Sequence, residues 1–471
     1  MPAEAARYLL PCAESFKCFD RFSILDDASS LEDADGQVPF WPVFTTLLTS
    51  SIRTPTQLAE LLDTIAVTLR DSSGPAGDYG LLKAYISASQ PAFFDTLWRV
   101  IVELALDLPL HFSDGSIKVL GAEGEREGGS SILTLSRRQT ACLVVHQFFC
   151  TLRAPTHRED FFDFSIWYAS EQRHEYACRI YLNCLFTYLE EFLPDGSENS
   201  RDGSSSITYT LVTREPEYEA LDLPPVSLGP IEIVVVDKYE TSPEQLGLPS
   251  GAAVVAANRY IGFGQSATQE EVHVGSSPEA CPAVLVTPPL GRNDVLVVRG
   301  AKAVLNITGQ RRDIEVAAQE AEESADWGLR TMLFMDALEL DVEDAEAGLP
   351  DLKPENLARE INKAYTAFSS GHYEVIWSPL WGCGAFGGDP FIKVVLLWCA
   401  ASLAGTPLKI LCDRSSRDLA ASLDRMVRAV GQRRETARDL IRLLENMPRR
   451  IERLKTFDWM IETLEAEDED V

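Results

Sequence analysis

The chain has 471 residues, more than one compact core accommodates, so two or three folding units are expected. Apolar residues make up 45% and charged residues 24%, ordinary globular values that exclude a mainly disordered or fibrous protein. With 42 Lys+Arg against 72 Asp+Glu the formal net charge is −30, which argues against general binding to nucleic acid or anionic membranes, since both need a cationic surface.

In chain order, Met1 to Leu10 lacks the basic-then-apolar order of a signal peptide. The first 190 or so residues read as helices. Ser136 with Gln139 three positions later is a capping box that opens an apolar helix through Val145 and Phe149. A second helix places Cys178, Tyr181, Leu185, Tyr188 and Phe192 on one stripe. The ten cysteines show no CxxC, and Cys142, Cys150, Cys178 and Cys184 sit in these apolar runs. Reduced core thiols of an intracellular protein are therefore expected, not disulfides or a zinc site. Two polar stretches, Gly121–Ser131 and Pro194–Ser206, read as loops.

Beyond them the pattern changes. β-Branched runs at Ile231–Val236, Ala252–Ala257, Ala283–Val286, Val295–Val298, Met332–Met335, Tyr373–Trp377 and Leu408–Leu411 read as strands, and Leu352–Phe368 and Phe391–Leu403 as helices between them. Strands apolar on both faces that alternate with helices imply an α/β sheet covered on each side. The longest uncharged apolar run, Val394–Gly405, falls short of the about 20 residues a bilayer needs. The tail returns to helix, with Leu419, Leu423, Met426, Val427 and Val430 on one face, and ends in the acidic run Glu465–Asp470.

Three segments carry chemistry. In Ala256–Gly264, Gly262 and Gly264 flank Phe263, and such a loop turns N–H groups toward phosphates. Gly262-Phe-Gly264-Gln-Ser-Ala267 also fits the GxGxxA dinucleotide fingerprint, but that fingerprint should open a helix in the first βαβ unit, and a polar stretch with two glutamates follows instead. Gln269-Glu270-Glu271 places adjacent carboxyls beside the loop. Neighbouring carboxyls are usually solvated surface, but like charge and burial would raise one and let it act as a general acid. Glycosidic cleavage needs such a proton, together with support for an oxocarbenium-like sugar. Trp381–Asp389 sets four glycines at a strand-to-helix junction, which suits a diphosphate against backbone amides. Cys383 has no histidine within its motif, so a nucleophilic role is disfavoured.

Together these segments resemble the poly(ADP-ribose) glycohydrolases of the larger eukaryotic type. That family's signature is a glycine triplet, a spacer and Gln-Glu-Glu, which stands here as Ile261–Gly264, Gln265–Thr268 and Gln269–Glu271. Asn258, Pro278-Glu279, Arg359–Tyr365 and Trp381–Asp389 match its flanks, and Leu135–Leu143 with Phe148–Cys150 resemble its accessory region. The resemblance implies a three-layer α/β/α macrodomain with a mixed sheet. Residues 1–205 would form a helical accessory region, 206–415 the catalytic domain, and 416–471 C-terminal helices packed on it with an acidic tail. It implies cleavage of ribose–ribose O-glycosidic bonds in poly(ADP-ribose) on modified proteins, with release of ADP-ribose and no metal or cofactor. Glu271 would be the general acid and base, Glu270 would fix the sugar and Asn258 would contact it. Gly262, Phe263 and Gly264, with Gly382, Cys383, Gly384, Ala385 and Gly387, would line the diphosphate, Gln269 would also bind substrate, Phe386 would lie beside the distal ribose, and Glu244 would meet the adenine. A monomer in nucleus or cytoplasm, acting in the DNA damage response without membrane or direct nucleic-acid binding, is the expected setting.

The departures bear on substrate grip. Phe263 replaces the triplet's middle glycine, the spacer is short, and the strand Asp expected near Val255 is missing. Gln310 stands for a substrate-contacting tyrosine and Leu380 for an asparagine. Catalysis is expected to persist; a macrodomain that binds ADP-ribose with weak turnover is the alternative. His273, two positions from Glu271, would share its side in a strand and offer a second proton carrier, although a surface or core histidine is the plainer reading. Arg433, Arg434, Arg438, Arg449, Arg450 and Arg453 read as a solvated face that balances nearby acids.

Overall fold

The computed structural model describes residues 7–69, 77–121, 129–158, 163–169, 171–194, 206–218, 221–239, 245–317, 330–342, 348–433 and 435–466. The N-terminal part forms helices α1 (Phe40–Leu48), α2 (Pro55–Leu69), α3 (Gly80–Ser89) and α4 (Leu97–Leu106). Helix α4 shows why: Leu97, Val100, Ile101 and Leu104 recur at helical spacing, and all are buried. Strand β1 (Ser130–Ser136) then runs into α5 (Arg137–Phe148), which opens with the predicted box. Ser136 Oγ accepts from the Gln139 N–H, and Gln139 accepts from the Ser136 N–H. A short α6 (Ser165–Tyr168) and α7 (Glu175–Glu190) follow; Cys178, Tyr181, Leu185 and Tyr188 of α7 are buried.

The rest of the chain completes one eight-stranded sheet with β2 (Ser206–Thr213), β3 (Ile231–Val236), β4 (Ala252–Ala257), β5 (Asp294–Ala301), β6 (Arg330–Asp336), β7 (Ile376–Ser378) and β8 (Leu408–Asp413). The spatial order is β1-β2-β5-β6-β4-β7-β8-β3. Strands β6, β4, β7, β8 and β3 are parallel, and β1, β2 and β5 join through antiparallel pairs. Period-2 alternation divides the side chains between two cores. Val255, Ala257, Leu296, Val298, Met332 and Phe334 pack with the helical region and with α8 (Gln269–Gly275). Val254, Val295, Val297, Leu333 and Met335 pack on the other face. That face is covered by α9 (Pro354–Phe368), α10 (Pro390–Ala404), α11 (Arg417–Arg433), α12 (Ala437–Asn446) and α13 (Thr456–Ala466). The expected α/β/α layering on a mixed sheet is what forms.

Several elements differ from the sequence reading. Ala283–Val286 is a short helix, not a strand. It follows Pro282 in helical geometry and is buried all round, where apolar content cannot separate strand from helix. The strand read at Tyr373–Trp377 is confined to Ile376–Ser378. Strands β1 and β2 went unread because they begin in the last residues of the two polar segments; residues 122–128 and 195–205 of those segments lie outside the described residues. The acidic run beyond Ala466 also lies outside them. Among the C-terminal arginines, Arg433 meets Glu435 at 3.0 Å, Arg438 meets Asp222 at 3.5 Å and Arg453 meets Asp351 at 3.8 Å.

Beneath the second glycine segment, α9 and α10 enclose a charged network. Glu360 accepts from Arg359, Lys393 and the Leu338 N–H, and Asp336 pairs with Arg359 and Lys363 at 2.6 Å. The Lys393 ammonium lies 5.0 Å from the Trp381 ring centroid, which ties the network to the loop above. Burial pushes the Glu360 carboxyl upward, but Lys393 and Arg359 outweigh it and hold it below the usual range. Its contribution to stability is therefore present at neutral pH and lost as the pH falls through that lowered value. Glu360→Ala leaves the buried Lys393 cation without its carboxylate partner, while Arg359 keeps Asp336. It is expected to cost roughly 3–5 kcal/mol, read as a lower urea midpoint; an unchanged midpoint would show that the network adds nothing.

Candidate active site

Strand β4 ends at Ala257, and the chain crosses residues 258–268 before α8 begins at Gln269. Asn258 starts this loop with an Asx turn, its Oδ1 accepting from the Tyr260 N–H at 2.9 Å. Thr268 caps α8 and makes a second capping box: its hydroxyl accepts from the Glu271 N–H, and Glu271 Oε2 accepts from the Thr268 N–H at 3.0 Å. The signature is therefore locally a helix start, Thr-Gln-Glu-Glu, and both glutamates occupy the first turn, where the helix dipole favours negative charge.

The two carboxyls are held differently. Glu270 is buried, with Oε2 accepting from the Asn258 N–H at 2.8 Å and Oε1 from the Gly262 N–H at 3.1 Å. Burial pushes this carboxyl up to about 8, against those two N–H groups and the nearby Arg158 cation, while Glu271 adds to the rise. Glu271 is half-buried; burial raises it too, opposed by the N–H groups of Thr268, Ser266 and Ala267. A Cβ on Gly264 would lie 2.1 Å from Glu271 Oε1. Glycine at 264 thus leaves the carboxyl its present position, which any side chain there would force it to abandon.

Both glutamates border a cleft of about 740 Å³ whose other wall is the segment Pro379–Phe386, a size within the range of small-molecule sites. In that wall Gly382 and Gly387 take φ of +76° and +66°. The turn is closed by Gly388 N–H to Gly382 O at 2.9 Å and Gly387 N–H to Gly384 O at 3.2 Å. Among the described residues, the N–H groups of Gly384, Ala385 and Phe386 donate to no protein acceptor. Consecutive free N–H groups at a turn make a concavity suited to an anion. Asp389 then caps α10, its Oδ1 accepting from the Phe391 and Ile392 N–H groups at 3.0 and 3.1 Å.

Of the sequence-predicted residues, Asn258, Gly262, Phe263, Gln269, Glu270, Glu271, Gly382, Cys383, Gly384, Ala385 and Phe386 border this cleft. Gly264 lies against Glu271, and Gly387 helps close the second turn. Glu244 lies outside the described residues. Gln269 turns its amide to strand β4, donating to Val254 O at 3.0 Å and accepting from the Ala256 N–H at 2.7 Å, so it fastens α8 to the sheet. The Phe263 ring is 4% exposed and packs 5.1 Å from Phe164 and 5.3 Å from Trp167, ring centroid to ring centroid. It anchors the loop in the helical region and does not cap the cleft. Cys383 Sγ donates to Trp381 O at 3.6 Å, and burial pushes its thiol upward, which leaves no nucleophilic thiolate. His273 is not beside Glu271, because the segment is a helix and residues two apart do not share a face. Its ring is buried against Arg330, and burial lowers it to about 3.

Sequence reasoning missed the residues delivered from the helical region. Trp167 Nε1 donates to Gly264 O at 2.9 Å, Gln265 Nε2 donates to Ile166 O at 2.7 Å, and Arg158 reaches the cleft wall. Tyr239, Tyr260, Arg311 and Ser416 also border the cleft. Lone residues far apart in sequence gave no spacing signal. Among the described residues, no group of three or more His, Cys, Asp or Glu is placed to hold a metal ion, and no helix is long and apolar enough to cross a membrane.

Comparison with known proteins gives a consistent picture. Residues 239–418 match a family model described as poly(ADP-ribose) glycohydrolase, macro domain fold, and residues 86–210 match one described as the helical domain of the same family. Poly(ADP-ribose) glycohydrolase 1 of Caenorhabditis elegans is 26% identical over 358 residues, 72% of this chain and 43% of that protein. The probable poly(ADP-ribose) glycohydrolase 2 of Arabidopsis thaliana is 23% identical over 454 residues, 82% of this chain and 85% of that protein. The chain thus spans less than half the length of the nematode relative and most of the plant one. The crystal structure of poly(ADP-ribose) glycohydrolase from Deinococcus radiodurans in complex with ADP-ribose aligns at 13% identity and a TM-score of 0.32, covering 47% of this chain and 93% of that one. Two models of one family, a helical domain followed by a macro domain fold, together cover well over half of the residues, and the chain belongs to the poly(ADP-ribose) glycohydrolase family.

Proposed function

We propose that the chain is a glycosidase that cuts the ribose–ribose O-glycosidic bond of poly(ADP-ribose) and releases ADP-ribose. The observation that carries this reading is the placement of Glu271: a half-buried carboxyl, raised by burial, on the rim of a cleft that also holds Glu270 and faces a turn of free N–H groups. The substrate comes from the relatives, which bear the name poly(ADP-ribose) glycohydrolase.

On this reading the protonated Glu271 gives its proton to the departing ribose oxygen as the glycosidic C–O bond breaks. Positive charge develops on the sugar left behind, and the Glu271 carboxylate then takes a proton from the attacking water, which returns it to its starting state. Glu270, oriented through both oxygens by backbone N–H groups, fixes the sugar, and the Asn258 amide contacts it. The N–H groups of Gly384, Ala385 and Phe386 take the diphosphate, donors that need no reorganisation during the reaction.

The sign of the pH dependence follows from the carboxyls. The acid must carry its proton, and burial raises both groups, Glu270 to about 8. Activity is therefore expected to persist at pH values where an ordinary carboxylic acid is already ionised, with kcat/KM declining on the alkaline side as the proton is lost; that limb belongs to the coupled pair, not to one residue. Glu271→Gln is expected to slow ADP-ribose release from polymer by about 100-fold or more while still binding ADP-ribose by calorimetry. Equal rates for the two proteins would refute the acid, and tight ADP-ribose binding by a wild-type protein that leaves polymer intact would select the binding-module reading. Gly264→Ala tests the geometry, since its Cβ would displace Glu271 Oε1. A loss in kcat of about 100-fold is expected with little change in melting temperature; an unchanged kcat would show that the close approach is dispensable.

A further inference from the structure

Arg158 lies in the loop after α5, in the helical region, far in sequence from the other cleft residues. Its Nη1 donates to Ile261 O at 2.6 Å and to Val284 O at 3.3 Å. The guanidinium carbon sits 5.9 Å from the Tyr260 ring centroid, and Nε is buried without a hydrogen-bond partner. A buried guanidinium nitrogen left unpaired is costly, so this side chain is held in place against its own solvation.

The carbonyl it grips belongs to a particular peptide. Ile261 C=O and Gly262 N–H are the two ends of one peptide unit, and that N–H donates to Glu270 Oε1 at 3.1 Å. A cation on the carbonyl end polarises the peptide and strengthens the donor at its other end, because hydrogen bonds in series reinforce one another. Among the described residues, the charged groups that act on Glu270 are Arg158, from the helical region, and Glu271, from its own helix.

We propose that Arg158 is a positioning residue for the hydrolysis: acting through the peptide 261–262, its cation holds the Glu270 carboxyl in place and offsets its charge, so that the helical region completes the active centre. The proposal rests on the hydrolase reading above. A merely structural staple would use the same two carbonyl contacts, but it would not act on the charge of Glu270.

The test compares Arg158→Gln, Arg158→Met and Arg158→Lys with the wild type in the full chain, measuring kcat, KM, the pH profile of polymer breakdown and melting temperature. Loss of the cation removes a downward influence on Glu270, so the alkaline limb should move to higher pH in either neutral variant. The kcat should fall by about 10-fold, the scale seen when an outer partner of a functional group is lost, with KM nearly unchanged. Arg158→Lys should recover most of the rate and the wild-type limb. If one neutral variant does not fold, the other carries the comparison. Neutral variants with wild-type rate and profile would overturn the proposal, as would equal losses in all three variants with an unmoved limb, which is the signature of a staple. A wild type without turnover would overturn the hydrolase reading and this proposal with it.

Discussion

Two adjacent carboxyl groups withdrawn from water at the first turn of one short helix are the constraint on which the site depends. Burial disfavours their ionised forms, and in a chain of net charge −30 the protein's overall field adds to that cost. The structure offsets it locally. Thr268, Asn258 and Gly262 offer backbone N–H groups to the carboxyls, and the N-terminal end of α8 contributes its dipole. The balance leaves both groups raised but oriented, which is the state a proton donor requires. Gly264 follows from the same constraint, because any side chain there would enter the volume of the Glu271 carboxyl.

The arrangement also explains why the helical region and the sheet are found together. The loop between β4 and α8 has little regular structure of its own, and its backbone groups need partners. Trp167 takes the Gly264 carbonyl, Gln265 reaches the Ile166 carbonyl, and Phe263 inserts among Phe164 and Trp167. A bulky residue in place of a flexible one therefore fixes this loop from behind, and the loop's shape becomes a property of the interface between the two parts. On the other wall, Trp381 and Lys393 seat the second glycine segment on the buried network of α9 and α10. Both walls are held from below by packed side chains; the first spends its N–H groups on the two carboxyls, and among the described residues those of Gly384, Ala385 and Phe386 in the second have no protein acceptor.

What the sequence disclosed depended on how local each signal was. The capping box at Ser136, the strand at Ala252–Ala257, the glycine segments and the adjacent glutamates are short-range patterns, and each was legible. The strand pair β1 and β2 was hidden because serine and threonine dominate its outward positions and polar segments adjoin it. Ala283–Val286 shows the opposite failure, since complete burial erases the periodicity that separates helix from strand. His273 was assigned a face by assuming a strand, and the N-cap at Thr268 was the overlooked cue that a helix starts there. Arg158 and Trp167 had no local pattern at all. Their roles arise from tertiary contact with backbone carbonyls, which accept from any donor and leave no mark in the spacing of residues.

The charge balance bears most directly on substrate choice in the proposed reaction. A protein that gathers a polyanion with lysines and arginines draws its affinity from counterion release and accepts any phosphate chain. The net charge of this chain opposes such polymers at long range, and among the described residues bordering the cleft only Arg158 and Arg311 are basic. Free N–H groups at a turn act over a hydrogen-bond length and only on an anion shaped to meet several at once. On the proposed reading, discrimination against general nucleic acid would need no dedicated contact: the overall field would oppose approach, and a diphosphate that reached the Gly384–Phe386 turn while its ribose lay against Glu270 and Glu271 would gain the local donors to overcome it. The acidic surface and the amide-lined cleft are in this sense two parts of one selectivity device.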